Sequence, residues 1–88
     1  MEYYVYIIKS QVDQSYYKGS SLNPLVRLEQ HNRGETQSTR TGCPWELVYL
    51  EKHSTKRDAL IREKALKKWS RVQLEKLIDS EKNLLRNP

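Results

Sequence analysis

Residues 3–8, Tyr3-Tyr4-Val5-Tyr6-Ile7-Ile8, are apolar or aromatic at both alternating sets of positions. β-Branched and aromatic side chains suit a pleated strand, and apolar character on both sets predicts a strand covered on both faces. Gln11–Ser15 is a polar turn, and Tyr16-Tyr17-Lys18-Gly19 resumes strand character. Two short strands around a five-residue turn predict an antiparallel hairpin. Asn23-Pro24 then offers an N-cap and a proline at the first helical position. The helix they open runs from Leu25 to about His31 and closes near Asn32-Arg33-Gly34. Gly34 to Pro44 is polar, with Thr36, Ser38, Thr39, Arg40 and Thr41, and predicts a long loop. Trp45–Leu50 is a third strand. Thr55-Lys56-Arg57-Asp58 and Ser70-Arg71-Val72-Gln73 both have capping-box spacing. They predict a helix from Thr55 to about Trp69 and a last helix with Leu74, Leu77 and Ile78 on one side. The expected order is β-β-α-β-α-α: a small α+β domain, a three-stranded antiparallel sheet with flanking helices. It covers residues 1–80, with 81–88 as a frayed C-terminal tail.

Composition adds limits. Eighty-eight residues bound the chain to one core. The longest apolar run is about four residues against the roughly 20 needed to cross a bilayer, so no membrane is expected. Met1-Glu2-Tyr3-Tyr4 has no basic run before an apolar stretch and does not read as a signal peptide. One cysteine, Cys43, excludes an intramolecular disulfide and any multi-cysteine metal knuckle, and a reducing cytoplasm is the expected location. The net charge of +5 is unevenly placed. Residues 1–50 carry five basic and five acidic side chains, whereas residues 51–88 carry eleven basic and six acidic ones. A basic half joined to a neutral half points to a polyanionic partner, with a solvated Lys/Arg-rich helical surface as the plain alternative.

Several chemistries are excluded: the chain has no Gly-rich phosphate loop, no Gly-x-Ser-x-Gly, no HExxH and no CxxC. Cys43, between Gly42 and Pro44, reads as a small, partly buried residue. On the second helix, Ala59, Leu60, Ala65, Leu66 and Trp69 form a broad apolar arc at 100° per residue. Glu63 falls inside that arc, where a carboxylate needs a partner or a cation. Arg62 falls there too, so an Arg62–Glu63 pair is the structural alternative. Arg27 and His31 are i,i+4 neighbours on one face of the first helix, either a solvated polar face or part of a site. Tyr6 and Tyr17, on adjacent strands, share a face or pack across strands.

Val5-Tyr6 followed by Tyr17-Lys18-Gly19 resembles the paired motif of the GIY-YIG endonuclease superfamily. Here Tyr4-Val5-Tyr6 stands for Gly-Ile-Tyr, and Tyr17-Lys18-Gly19 for Tyr-Ile-Gly. Arg27 lies eight residues after that glycine, His31 a turn further, and Glu63 on the helix after the third strand. His31-Asn32-Arg33-Gly34, Pro44-Trp45-Glu46-Leu47 and Arg62-Glu63-Lys64 are similar to runs in the small stand-alone bacterial, UPF0213-like members.

The resemblance implies a GIY-YIG-like fold and a metal-dependent endonuclease that hydrolyses DNA phosphodiester bonds in repair or processing. A non-catalytic nucleic-acid-binding module on the same fold is the alternative. The implied site is Tyr6, Tyr17, Arg27, His31 and Glu63, with the two tyrosines, Arg27 and Glu63 around one concave surface on one side of the sheet. Arg27 offers a permanently charged fork to phosphate. Glu63 would hold one divalent cation, and oxygen ligation suits Mg²⁺ or Mn²⁺. One tyrosine takes a proton and the other positions water or phosphate. Gly19 permits close approach. Lys18, Arg33, Arg40 and the basic second helix bind the DNA backbone without reading sequence. Stand-alone members lack a targeting module, which implies a protein partner that supplies specificity, recognition of a DNA shape, or weak activity.

Overall fold

The first strand, β1 (Tyr3–Ser10), is the middle of the sheet in the computed structural model, which describes residues 2–86. β2 (Tyr16–Ser21) and β3 (Trp45–His53) flank it, both antiparallel, in the order β2-β1-β3. A strand covered on both faces cannot alternate apolar with polar. Val5 and Ile7 enter one core with Tyr49, Ala59, Leu66, Leu74 and Leu77, while Tyr6 and Ile8 enter a second with Trp45. All four β1 side chains are at most 1% exposed.

The helices divide accordingly. α2 (Lys56–Leu66) and α3 (Arg71–Ile78) cover the Val5/Ile7 face, and α1 (Pro24–Asn32) contributes Leu28 to the Tyr6/Ile8 face. Local caps start each helix. Asn23 accepts from the Val26 N–H, Thr55 from the Asp58 N–H, and Ser70 and Gln73 form a complete capping box. The element order is β-β-α-β-α-α with one addition. Gln37–Gly42, expected as loop, is a short 3₁₀ helix. Its carbonyls are caught by the following strand and its neighbours: Trp45 Nε1 donates to Thr39 O at 2.8 Å, and Cys43 Sγ lies 3.7 Å from the same oxygen.

Other boundaries shift for physical reasons. β3 runs three residues past Leu50, because Glu51, Lys52 and His53 pair with Val5, Tyr4 and Tyr3. α2 stops at Leu66 rather than near Trp69, and its apolar arc is narrower than expected: Ala59 and Leu66 are buried, whereas Leu60 is 39% exposed. The frayed tail does not describe residues 81–86. Asn83, 1% exposed, donates to the carbonyls of Val48 and Ile78 at 2.8 Å and accepts from the Leu50 N–H. Leu84 N–H donates to Leu50 O at 2.9 Å. One side chain thus satisfies the outer edge of β3 where a further strand would sit; residues 87–88 lie outside the described residues.

Candidate active site

Tyr6 of β1 pairs with Gly19 of β2. A Cβ at position 19 would lie 2.5 Å from Tyr6 Oη and 2.6 Å from Tyr6 Cζ, so the phenol ring crosses β2 directly over that glycine. Gly19 is therefore required by a side chain passing over it, not by its backbone conformation. Gly19→Ala is expected to lower stability by about 1–3 kcal/mol through overpacking and to push the Tyr6 hydroxyl out of place. Urea denaturation checks the first effect; unchanged stability would mean the ring has another route.

Having crossed Gly19, the Tyr6 hydroxyl meets His31 Nε2 at 2.9 Å. His31, fully buried, lies in the last turn of α1, and its Nδ1 is 2.7 Å from Thr39 Oγ1 in the 3₁₀ helix. One direction of this chain satisfies every donor and acceptor in it. The Thr36 carbonyl, 3.4 Å from Thr39 Oγ1, can only accept, so the Thr39 hydroxyl donates to it. Thr39 Oγ1 then accepts from His31 Nδ1–H. That tautomer leaves Nε2 bare, and Tyr6 O–H donates to it. Burial, helped by the Arg27 charge, holds the His31 pKa below its ordinary 6.5, so the imidazole is neutral and ready to accept. Burial holds the Tyr6 phenol above 10.0; the neighbouring Arg27 guanidinium opposes this, and the charges of Tyr17 and Glu63 add to it.

Tyr17 of β2 presses its ring edge-on against His31, with centroids 5.1 Å apart, and lies 6.4 Å from the Trp45 ring. Arg27 is held by Nη1 donating to Gln30 Oε1 at 2.7 Å, one turn along α1. Tyr6, Tyr17, Arg27 and His31 are thus brought together on the α1 side.

Glu63 comes from the other side. The expectation that it shares a face of the sheet with Arg27 is corrected: α2 packs on the Val5/Ile7 face. Its carboxylate, 15% exposed, reaches β2, where Glu63 Oε1 accepts from Ser20 Oγ at 2.6 Å and Oε2 lies 3.0 Å from Lys67 Nζ. Ser20 follows Gly19, and strand alternation turns it toward α2. β2 is an outer strand with no neighbour beyond it in the sheet. The phenol from one face and the carboxylate from the other therefore converge at that strand, close enough for the Glu63 charge to raise the Tyr6 pKa. The alternative pairing of Glu63 with Arg62 does not form; Arg62 bonds Glu51.

The expected backbone-binding residues divide. Lys18 is half-buried on the α2 side, and burial together with the nearby Lys67 charge lowers its pKa. Arg33 is paired with Glu35 at 2.6 Å and Glu29 at 3.9 Å, and Arg40 Nε donates to Gly34 O at 3.0 Å. These two arginines brace the turn after α1 and do not join the Tyr6 cluster. Thr39, Ser20 and Lys67, which do touch it, carry no sequence signal of their own: Thr39 sits in a polar run, and Ser20 and Lys67 read as ordinary surface.

Among the described residues, no three His, Cys, Asp or Glu side chains gather closely enough to cage a metal. The donor set at β2 is one carboxylate beside one hydroxyl. That excludes a closed zinc-type site but fits a hard cation such as Mg²⁺, which keeps its waters and takes one carboxylate plus substrate phosphate oxygens.

The second tyrosine motif thus ends in the glycine under the first tyrosine, with the Arg27 helix on one face of the sheet and the Glu63 helix on the other. The model of the GIY-YIG catalytic domain matches residues 2–77, and the chain belongs to this family. Its relatives include the UPF0213 protein SH2523 of Staphylococcus haemolyticus, 40% identical over 79 residues, covering 89% of this chain and 95% of that protein. A UPF0213 protein of Staphylococcus aureus strain Mu3 is 39% identical over 77 residues, covering 86% and 93%. The solution NMR structure of UPF0213 protein BH0048 from Bacillus halodurans superposes with a TM-score of 0.59 at 30% identity, over 93% of this chain and 87% of that one. No described helix is long and apolar enough to cross a membrane.

Proposed function

We propose that the protein is a divalent-metal-dependent endonuclease that hydrolyses DNA phosphodiester bonds, acting in the cytoplasm on repair or processing substrates. The observation that carries this reading is the buried chain Tyr6–His31–Thr39 ending beside Arg27. Phosphodiester hydrolysis needs a proton taken from water, relief of the charge growing on phosphorus oxygens, and a stabilised leaving oxygen. Tyr6 is the proton carrier. As a water O–H proton moves to Tyr6 Oη, the phenol's own proton moves to His31 Nε2; the hydroxide oxygen bonds to phosphorus, the opposite P–O bond breaks, the leaving oxygen takes a proton from solvent, and the proton on His31 Nε2 returns through Tyr6 to solvent. Tyr17 holds the imidazole plane, and Arg27 offers its fork to the phosphate oxygens. Glu63, oriented by Ser20, would hold the cation, which when bound supplies positive charge beside the phosphate.

The Tyr6 pKa is raised and the His31 pKa lowered, both chiefly by burial, so proton transfer between them in the resting protein is unfavourable. The relay therefore operates only when a phosphate near His31 and positive charge near Tyr6 narrow the gap. Thr39 matters because it fixes the tautomer. Thr39→Val keeps the shape and removes the acceptor; its cleavage rate is expected to fall about 10–100-fold, the range for groups that orient an imidazole. Thr39→Ser should retain activity, and equal rates for both variants would remove Thr39 from the mechanism.

One observation favours the alternative, a nucleic-acid-binding module without catalysis: both Glu63 oxygens already have partners, Ser20 and Lys67. The two readings separate when the purified protein is incubated with labelled linear, flapped and branched DNA and Mg²⁺ or Mn²⁺. Metal-dependent cleavage supports the enzyme; binding without cleavage of any member supports the module. A protein partner that supplies specificity would show as cleavage that becomes selective only in its presence.

A further inference from the structure

A second constellation lies on the far flank of α2. Arg62, the residue before Glu63, points toward β3 instead of β2. Its Nε donates to Glu51 at 3.0 Å (Oε2) and 3.2 Å (Oε1), and its guanidinium carbon sits 5.1 Å from the centre of the Trp69 ring. The Glu51 carboxylate is filled from several sides: it also accepts from Tyr49 Oη at 2.5 Å, and His53 Nε2 lies 2.6 Å from it. Its pKa is held below the ordinary carboxylate value despite burial, because Tyr49, His53 and Arg62 all favour the ionised form. The arginine is thus fixed by Nε and by stacking, with its guanidinium beside the Tyr49 hydroxyl as well, and its side chain stays 23% exposed. It lines a concavity of about 590 Å³ together with Glu51, Lys52, His53, Lys82 and Leu84. Three positive charges, Arg62, Lys52 and Lys82, face one carboxylate there.

We propose that this hollow between the end of β3 and α2, with the Arg62 fork flanked by Lys52 and Lys82, is a second phosphate site that grips the nucleic-acid backbone away from the Tyr6–Glu63 edge. A planar fork held rigidly from behind is suited to a phosphate's paired oxygens, and lysines beside it add charge without demanding geometry. The excess of positive charge matches an anion and leaves a neutral or cationic ligand unfavoured. Because Arg62 and Glu63 are adjacent on α2 and reach β3 and β2 respectively, a strand bound at both sites crosses that helix. The assignment rests on the nucleic-acid reading above and adds a contact that a single isolated phosphodiester cannot use.

The test reads DNA affinity in metal-free buffer, by fluorescence anisotropy with a labelled 20-base-pair duplex, beside thermal melting of each protein. Arg62→Lys keeps the charge and a partner for Glu51 but loses the fork. It is expected to weaken duplex binding about 10-fold. Lys52→Ala/Lys82→Ala, at two exposed positions, should weaken it and flatten the dependence of log affinity on log salt by about 2. Normal affinity in both folded variants would overturn the site. A third arm follows the His53 ring resonances on addition of inorganic phosphate. If phosphate moves them in an Arg62-dependent way while duplex affinity is untouched, the hollow holds free phosphate and the nucleic-acid assignment is wrong. Because the affinity assay contains no metal, it is independent of cleavage: failure of the wild type to cleave DNA in a separate assay with Mg²⁺ or Mn²⁺ counts against the nuclease reading alone, whereas loss of the variant effects counts against this site alone.

Discussion

Tyr6→Phe is expected to reduce cleavage about 10²–10⁴-fold, the contribution of a positioned proton carrier, while the protein still folds. The substitution removes one oxygen from a side chain that is 1% exposed and leaves its packing intact. What is lost is the O–H that donates to His31 Nε2 at 2.9 Å. The bare imidazole nitrogen then has no donor in a dry environment, which costs about 1–3 kcal/mol. Tyr17→Phe should be milder, because the Tyr17 contribution is its ring edge against His31. The same chain sets a pH dependence. His31 must be neutral to accept, and its pKa in the folded protein lies below 6.5, so the acid limb of the pH–rate profile falls below pH 6.5. Stability follows the same sign. The unfolded chain binds a proton at His31 more readily than the folded one does, so the contribution is complete above about pH 6.5 and is lost as pH drops through the folded-state value. A rate limb above pH 7 tracking His31 protonation, followed by NMR, would contradict the relay.

The second large effect belongs to Glu63. Glu63→Gln preserves size and can still accept from Ser20, but it removes the charge that would hold a cation. The expected loss is about 10³-fold or more in cleavage, since a bound metal supplies several kcal/mol to the transition state. DNA affinity in metal-free buffer should stay equal or tighten slightly, because a negative charge near a polyanion is gone. Lys67 makes the opposite prediction. Its ammonium lies 3.0 Å from Glu63 Oε2, and the pair raises the Lys67 pKa. A cation must displace it, so Lys67→Met should bind Mn²⁺ more tightly than the wild type does. Unchanged Mn²⁺ affinity in both Lys67→Met and Glu63→Gln would place the metal elsewhere.

The parts of this fold that local chemistry specifies were legible in the sequence. The double apolar alternation of Tyr3–Ile8 announced a strand buried on both faces, and Asn23-Pro24 and Ser70–Gln73 announced helix starts, because caps and strand patterns act within a few residues. What was hidden is set by contacts between distant residues. The 3₁₀ helix at Gln37–Gly42 is anchored from outside by the Trp45 indole. No local period shows that Thr39 is buried against His31. Residues 81–86 look polar and frayed until Asn83 is seen filling the open edge of β3. On α2, periodicity placed both Arg62 and Glu63 on the inward arc but could not choose their partners. Arg62 took Glu51, eleven residues away, and Glu63 took Ser20, forty-three residues away. The site residues themselves stood out only through their joint spacing, since each alone has an ordinary structural role.

The most direct test of a metal-dependent nuclease built on this edge is one preparation assayed twice. Wild type and Glu63→Gln, each checked for folding by circular dichroism, are compared for cleavage of the labelled DNA panel with Mg²⁺ or Mn²⁺ and for DNA affinity without metal. The expected result is cleavage by the wild type only, with affinity preserved in the variant. A folded Glu63→Gln protein that cuts at near wild-type rate would remove Glu63 from the site and contradict the proposed chemistry.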